Sequence, residues 1–305
     1  MREITLKQLR AITSIMRTGK IISAAKELGV TPPAVTLQLK LLEESTGLAL
    51  FDRTRNGLRP TDAGRYLVEA AARIETVLEE CSENLLALRG LSGGRVTVGV
   101  VSTAKYFAPR LIAAFMNDHQ KIELRLSVGN RTETIRSLRD YEIDVAFMGR
   151  PPADFAVEQS PFGNHPHVII APPDHPLAGR RRVRRDELAT EHFLVREEGS
   201  GTRALFESFF SGVEVPRPRI RIEIGSNETI KQAVMAGLGL ALISAHTIEA
   251  EVTAGRLKIL NVPGLPIVRQ WYLVHRADKT LGPAAMAFWR YVETQGRLFL
   301  PRVSV

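Results

Sequence analysis

The side chains that could do chemistry here are cations and hydroxyls at helix starts and strand ends, in two groups far apart in the chain. In the first group, Val35, Leu39 and Leu42 repeat at helical spacing and mark one face, leaving Pro33, Thr36, Leu37 and Lys40 on or beside the opposite face. Such a face can lie in a DNA major groove. There Thr36 would bond a base edge or a phosphate, Leu37 would touch a thymine methyl, and Lys40 would take phosphate or guanine. Gln38 sits nearer the flank. Ser23 and Thr31 stand where two helices are expected to open, and Arg53, Arg55 and Arg59 flank the turn dipeptide Asn56-Gly57, whose hairpin tip could reach phosphates or a minor groove. The alternative for each residue alone is a solvated helix face or surface arginine.

The second group suits an anion. Ser102-Thr103 follows an apolar strand pattern and is expected to precede a helix, where free amides and the helix dipole favour negative charge. Gly199-Ser-Gly-Thr202 repeats the arrangement, with Gly201 permitting close approach and Arg203 adjacent, and Ser226-Asn227 opens a third helix. Asn130-Arg131 and Gly149-Arg150 add donors at strand ends, and Lys105 adds a further cation. The expected ligand is a phosphorylated or carboxylated metabolite, with no cofactor. Each piece also has a plain structural reading, since a hydroxyl at a helix start is usually a cap.

Three zones must position these groups. Residues 1–61 hold ten Lys/Arg against five Asp/Glu, residues 62–94 three against six, and residues 95–305 28 against 22. A short basic module is therefore joined to a larger, nearly balanced one, and a net charge of +8 points to nucleic acid as the first partner. The first zone reads as helices over 6–16, 24–28 (opened by Ser23) and 34–45, then a hairpin. The second is a helix from Asp62 to about Arg89, capped by Thr61, in which Leu67, Ala71, Ile74, Leu78, Cys81, Leu85 and Leu88 alternate spacings of four and three. That seam predicts a partner helix and a homodimer. Leu91-Ser-Gly-Gly94 breaks the pattern, and domains are expected at 1–61, 62–91 and 92–305. The last zone alternates strands and helices, implying an α/β domain with mainly parallel sheets and two subdomains, about 95–163 with 269–305 and about 164–268.

Several chemistries are excluded or demoted. No nucleophile–base–orienter set or P-loop occurs, so an enzyme is not expected. His165-Pro-His167 and His175 lack a completing ligand spacing, so no metal is expected, and a crossover between subdomains is the better context. Arg180-Arg-Arg182 with Arg184-Arg185 reads as a solvated loop, with protein or accessory DNA contact as the alternative. Trp271 and Trp289 read as core. Cys81, the lone cysteine, reads as a small apolar packing residue, with a redox role as the alternative. No apolar run spans a bilayer and no secretory signal is visible, so a cytoplasmic protein without membrane contact is expected.

The order and spacing of Thr5-Leu-Lys-Gln-Leu-Arg10, Ser23-Ala-Ala-Lys-Glu-Leu-Gly-Val-Thr-Pro-Pro-Ala-Val-Thr36, Gly47-Leu-Ala-Leu-Phe51 and Leu58-Arg-Pro-Thr-Asp-Ala-Gly64 resemble the LysR-type transcriptional regulators. Pro33 departs from the pattern, which more often has glutamine there. The resemblance implies a winged helix-turn-helix and a linker-helix dimer. It also implies a periplasmic-binding-protein-like domain of two Rossmann-like subdomains, a dimer of dimers on promoter DNA, and RNA polymerase as a partner. A narrower resemblance in Gly99-Val-Val-Ser-Thr-Ala-Lys-Tyr-Phe-Ala-Pro109, Met148-Gly-Arg-Pro-Pro152, Arg196-Glu-Glu-Gly-Ser-Gly-Thr-Arg203 and Ile224-Gly-Ser-Asn-Glu-Thr-Ile-Lys-Gln232 is to the Calvin-cycle subgroup, which regulates the operon for ribulose bisphosphate carboxylase. It implies effectors such as ribulose bisphosphate, phosphoglycolate-like acids or a reduced dinucleotide phosphate. The alternatives are a LysR-type regulator of another pathway with a carboxylate or aromatic effector, and a solute-binding module or enzyme with an incidental helical head.

Overall fold

The computed structural model describes residues 4–54, 57–88, 93–211 and 219–303, apart from the side chains of 79–80, 83–84 and 86–88. They fall into two compact units, Met1–Ser82 and Glu83–Val305.

The smaller unit holds α1 (Leu6–Thr18), α2 (Ile21–Leu28), α3 (Pro32–Thr46), the strands β1 (Phe51–Thr54) and β2 (Gly57–Pro60), and most of α4 (Asp62–Leu88). A reciprocal Thr5–Gln8 capping box starts α1, and Gly29 in the left-handed region turns α2 into α3. Helix α2 begins at Ile21, two residues before the expected Ser23, because Ile21 packs against the core and holds the chain helical from there. Leu9, Ile12, Ile15, Ala24, Ala25, Val35 and Leu42 form that core with Leu50, Phe51 and Ala71. Thr61 caps α4 as expected, its hydroxyl accepting from the Gly64 N–H at 3.1 Å. The β1–β2 hairpin docks on the α1–α2 turn, where the Leu58 N–H donates to the Gly19 carbonyl at 2.8 Å.

The heptad seam divides. Ala71 is fully buried and Leu67 packs against the core, so the head itself consumes these two positions and they are not free to meet a partner helix. Ile74, Leu78 and Leu85 are exposed, as is Cys81, and Val77 joins them at 60% exposure. The Leu88 side chain lies outside the described residues.

The larger unit comprises β3 (Gly94–Val101), α5 (Ala108–Asp118), β4 (Ile122–Gly129), α6 (Arg131–Arg139), β5 (Val145–Met148), β6 (Val157–Ala171), α7 (Arg185–Ala189), β7 (His192–Arg196), α8 (Gly201–Phe209), β8 (Arg219–Ile224), α9 (Asn227–Met235), β9 (Ala241–Ser244), α10 (Glu249–Thr253), β10 (Lys258–Ile259), β11 (Ile267–Arg276) and α11 (Pro283–Gln295). Its main sheet runs β10-β6-β11-β5-β3-β4, with β9 also on β6, while β7 and β8 pair separately. The pairs β3–β4, β3–β5 and β7–β8 are parallel, but β6, β9, β10 and β11 pair antiparallel. The expectation of mainly parallel sheets is corrected there. The strands β6 and β11 each run unbroken through both subdomains, so the two crossings lie side by side as an antiparallel pair. Their register shifts between Trp271 and Tyr272, close to the expected boundary near 163 and 268.

One apolar core fills the first subdomain around Phe107, Phe115, Phe147, Trp271 and Phe288. Two clusters fill the second, around Phe193 and Phe206 and around Ile170 and Ile243. Trp271 and Trp289 are buried, as the sequence suggested. The chain end departs from the expected division. Val303 packs against the second subdomain, and the Arg302 N–H donates to Glu249 at 2.8 Å, so the tail leaves α11 and returns across the boundary. The basic tract is not simply a solvated loop. Arg180 pairs with Glu187 and Arg184 with Asp186, while the Arg185 guanidinium lies 4.2 Å from the Phe209 ring and opens α7.

Gly64 sets the packing of α4 on the head. A Cβ there would stand 2.0 Å from the Leu50 carbonyl oxygen, a backbone atom that cannot swing aside. Gly64→Ala is expected to destabilise the head by about 3 kcal/mol. Thermal unfolding of the variant checks this.

Candidate functional site

In the head, α3 presents the face that its spacing implied. Val35, Leu39 and Leu42 are buried, while Pro33, Thr36, Leu37 and Lys40 are exposed, Leu37 at 52%. Gln38 is half-buried. Thr31 occupies the N-cap position of α3 but its side chain makes no cap bond, so the hydroxyl stays available for a phosphate. The Thr36 hydroxyl donates to the Pro32 carbonyl at 3.0 Å and retains only acceptor capacity. Lys40 is held loosely by Glu44, 3.6 Å away and largely exposed, a contact that water screens and DNA would replace. Ser23 is exposed on α2. Arg53 and Arg59 are exposed on the hairpin with no carboxylate within 4 Å among the described residues. Arg55 lies outside the described residues.

The second site is a cavity of about 500 Å³ in the larger unit, a volume suited to a small metabolite. Of the ten anion-binding candidates, Ser102, Thr103, Asn130, Arg131, Arg150, Gly201, Thr202 and Arg203 line it. Lys105 does not; its ammonium lies 5.2 Å from the Tyr106 ring. Asn227 does not either. It sits behind the wall, accepting a bond from Arg196 and donating to the Ser102 hydroxyl at 3.4 Å, so it positions lining residues without reaching the cavity.

Of the three helix starts expected, Ser226 does cap α9, accepting from the Thr229 N–H at 3.4 Å, but stands off the cavity; the α8 start lines it, and α6, expected only as a strand end, supplies a second. After Ser102-Thr103 the chain makes only a 3-10 turn at Ala104–Tyr106, because Phe107 is drawn into the core before α5 begins. At α6, Asn130 closes a capping box with Glu133, and at α8 the Ser200 hydroxyl accepts from the Thr202 N–H at 3.2 Å. These two starts face each other across the cleft. There the Thr132 N–H donates to the Gly199 carbonyl at 3.3 Å.

Charge is unbalanced inside. Arg196 is bound to Glu197, and Arg203 to Glu207 and Glu223. Arg131 and Arg150 meet no carboxylate within 4 Å among the described residues, and neither does Arg269, another lining cation. Arg131 donates instead to the Arg150 and Pro151 carbonyls, each at 3.3 Å. Burial, and then Arg150 beside it, pull the Arg131 guanidinium below its ordinary pKa. The Ser102 hydroxyl accepts from Arg196 at 3.2 Å and from Asn227, which leaves its single proton to donate elsewhere. The Thr202 and Thr103 hydroxyls make no hydrogen bond among the described residues. Five lining arginines face two lining carboxylates, Glu198 and Glu207, so the space carries an excess of positive charge that suits an anion.

The spacing analysis missed Arg196, Arg269, Thr132 and His165 with His167, all of which line the cavity. Arg196 ends a strand before a glycine-rich loop, so the strand-end logic used for Arg131 would have found it. Arg269 and the histidines sit on the crossing strands, where no local pattern points to a cavity. Burial holds His165 well below its ordinary pKa and brings His167 and His246 to about 4.

Residues 6–65 match the family model described as bacterial regulatory helix-turn-helix protein, lysR family, and residues 89–297 match the LysR substrate binding domain. The chain belongs to the LysR family. It is 53% identical over 304 residues to the HTH-type transcriptional regulator CbbR of Rhizobium meliloti (strain 1021), covering 100% of this chain and 97% of the relative. It is 44% identical over 291 residues to the RuBisCO operon transcriptional regulator of Allochromatium vinosum, covering 95% of each. Among solved structures it resembles the Synechocystis PCC6803 CcmR regulatory domain in complex with 2-PG, at 37% identity and a TM-score of 0.64, over 66% of this chain and 96% of that one. The two-domain LysR architecture expected from the sequence is thus established, and the family is one of DNA-binding regulators rather than enzymes.

The buried histidines set the response of this LysR-family protein to acid. Their folded pKa values lie below the ordinary 6.5, so between 6.5 and about 4 the unfolded chain binds more protons than the folded one. Stability of the larger unit is expected to be full above 6.5 and to fall as pH drops through that window. Denaturant midpoints at pH 7.5, 6 and 5 measure it.

Proposed function

We propose that this protein regulates transcription of a RuBisCO operon, gripping promoter DNA with α3 and the β1–β2 hairpin and responding to a small phosphorylated or carboxylated metabolite bound in the cavity. Likeness over the full length to regulators named for that operon carries the reading. The three unpaired guanidiniums support an anionic effector, and the related CcmR domain has been captured with 2-PG. No helix among the described residues is long and apolar enough to cross a membrane, which is consistent with action in the cytoplasm on chromosomal DNA.

The effector acts by population shift. It favours the conformations of the cleft that hold it best and can move the balance only by its difference in affinity between them. The exposed stripe of Ile74, Val77, Leu78 and Leu85 supports pairing of α4 with a second copy, and two such dimers would place heads on adjacent half-sites near RNA polymerase.

Two experiments test this reading. Lys40→Ala is expected to weaken binding to a fragment upstream of a RuBisCO operon about tenfold and to leave anion binding unchanged, whereas Thr202→Val is expected to do the reverse. Mobility shift and calorimetry on both variants check it, and parallel loss of both activities in either variant counts against separate sites. Leu78→Glu is expected to convert the dimer to monomer and to lower DNA affinity. Sedimentation equilibrium reads the mass, and an unchanged dimer removes the stripe from the interface.

A further inference from the structure

One buried cation in the larger unit takes no part in the cavity, and it sits where the two subdomains meet. Lys231 on α9 is 3% exposed. Its ammonium donates to Glu228 at 2.8 Å and to Glu251 on α10 at 2.7 Å, both within the second subdomain. A further neighbour comes from the first. The half-buried Tyr106, in the 3-10 turn after β3, sets its ring 4.9 Å from the same ammonium, and its hydroxyl reaches Glu228 at 3.4 Å. Neither Tyr106 nor Lys231 lines the cavity.

A covered ammonium needs acids beside it, and a desolvated one gains more from an aromatic face than an exposed one does. Burial, and then the Glu228 carboxylate, push the Tyr106 hydroxyl above its ordinary pKa, so it keeps its proton and donates. The same short stretches also reach the cavity wall. Asn227, at the start of α9, donates to the Ser102 hydroxyl, and Ser102 stands four residues before Tyr106. The first turn of α9 and one turn of the first subdomain therefore meet in two places, with Ser102 on the cavity and Tyr106 away from it. The chain between them is too short for one contact to part without disturbing the other.

We propose that Tyr106 is a positioning residue for the effector: it covers the Lys231 ion cluster across the subdomain boundary and so holds the cavity closed around its ligand. This rests on the anionic-effector reading above. A residue outside the cavity makes no contact with an entering ligand, so its effect falls on release. The test is surface plasmon resonance of the full-length protein with 2-phosphoglycolate and with ribulose bisphosphate, beside thermal unfolding of the free proteins. Tyr106→Leu removes ring and hydroxyl, and is expected to raise the dissociation rate of the bound anion about tenfold with an unchanged association rate. Tyr106→Phe keeps the ring over Lys231 and is expected to raise that rate only about threefold. An unchanged dissociation rate in Tyr106→Leu overturns the inference, whether or not the unfolding midpoint falls, because the cluster then serves stability alone. A lowered association rate in either variant assigns the loss to a damaged cavity and overturns it as well. If the wild type binds neither anion, the effector reading itself fails and takes the inference with it.

Discussion

Two antiparallel strands carry the chain through both halves of the larger unit, and the cavity exists because of how they cross. Pairing β6 with β11 from His167–Ile267 to Val157–Arg276 fixes the subdomains to a shared spine, and the shift at Trp271 and Tyr272 bends that spine where the sheets part. The space left between the sheets is walled by strand ends and helix starts from either side. The ring stack of His165 on Trp271 and the bond from the Trp271 indole N–H to His246 at 3.0 Å tie β6, β11 and the 3-10 turn after β9 together at the back wall. These contacts pack the back wall, whereas the lips of the cavity are made by strand ends and helix starts.

The lips are held by few and mostly polar contacts. Thr132 meets Gly199 on one side, and on the other Arg196 and Asn227 converge on Ser102 while the Tyr106 hydroxyl reaches Glu228 at 3.4 Å. Each bond of this kind contributes about 1 kcal/mol net, a scale on which an anion's differential affinity can decide the balance. Against closure stand two helix N-termini brought face to face and three guanidiniums with no acid beside them. On the proposed reading, a bound anion would relieve that repulsion and favour closure by one electrostatic cause.

The head follows another logic, with its polar chemistry outside and its economy inside. Gly57 adopts a φ of 134°, and a Cβ there would stand 2.4 Å from the Gly19 carbonyl, so the hairpin sits flush on the α1–α2 turn with Arg53 and Arg59 outward. The same tight packing draws in Leu67 and Ala71 and leaves Ile74, Val77 and Leu78 to the outside of α4.

Local pattern determined most of the elements of this protein. The 3.6-residue spacing of Val35, Leu39 and Leu42, the Asn56-Gly57 turn, the caps at Thr5 and Thr61 and the strand-end arginines all act within a few residues, where sequence spacing and spatial distance nearly coincide. Only the tertiary structure decided which of those groups share a space. It turned Lys105 toward Tyr106, set Asn227 behind the wall, consumed Ala71 in the core, and brought Arg269 and His165 from the crossing strands to the cavity. Pro161 and Pro166 within β6 obscured that strand's full length. Whether an arginine is paired or left bare depends on neighbours a hundred residues away, and no spacing rule reaches that far.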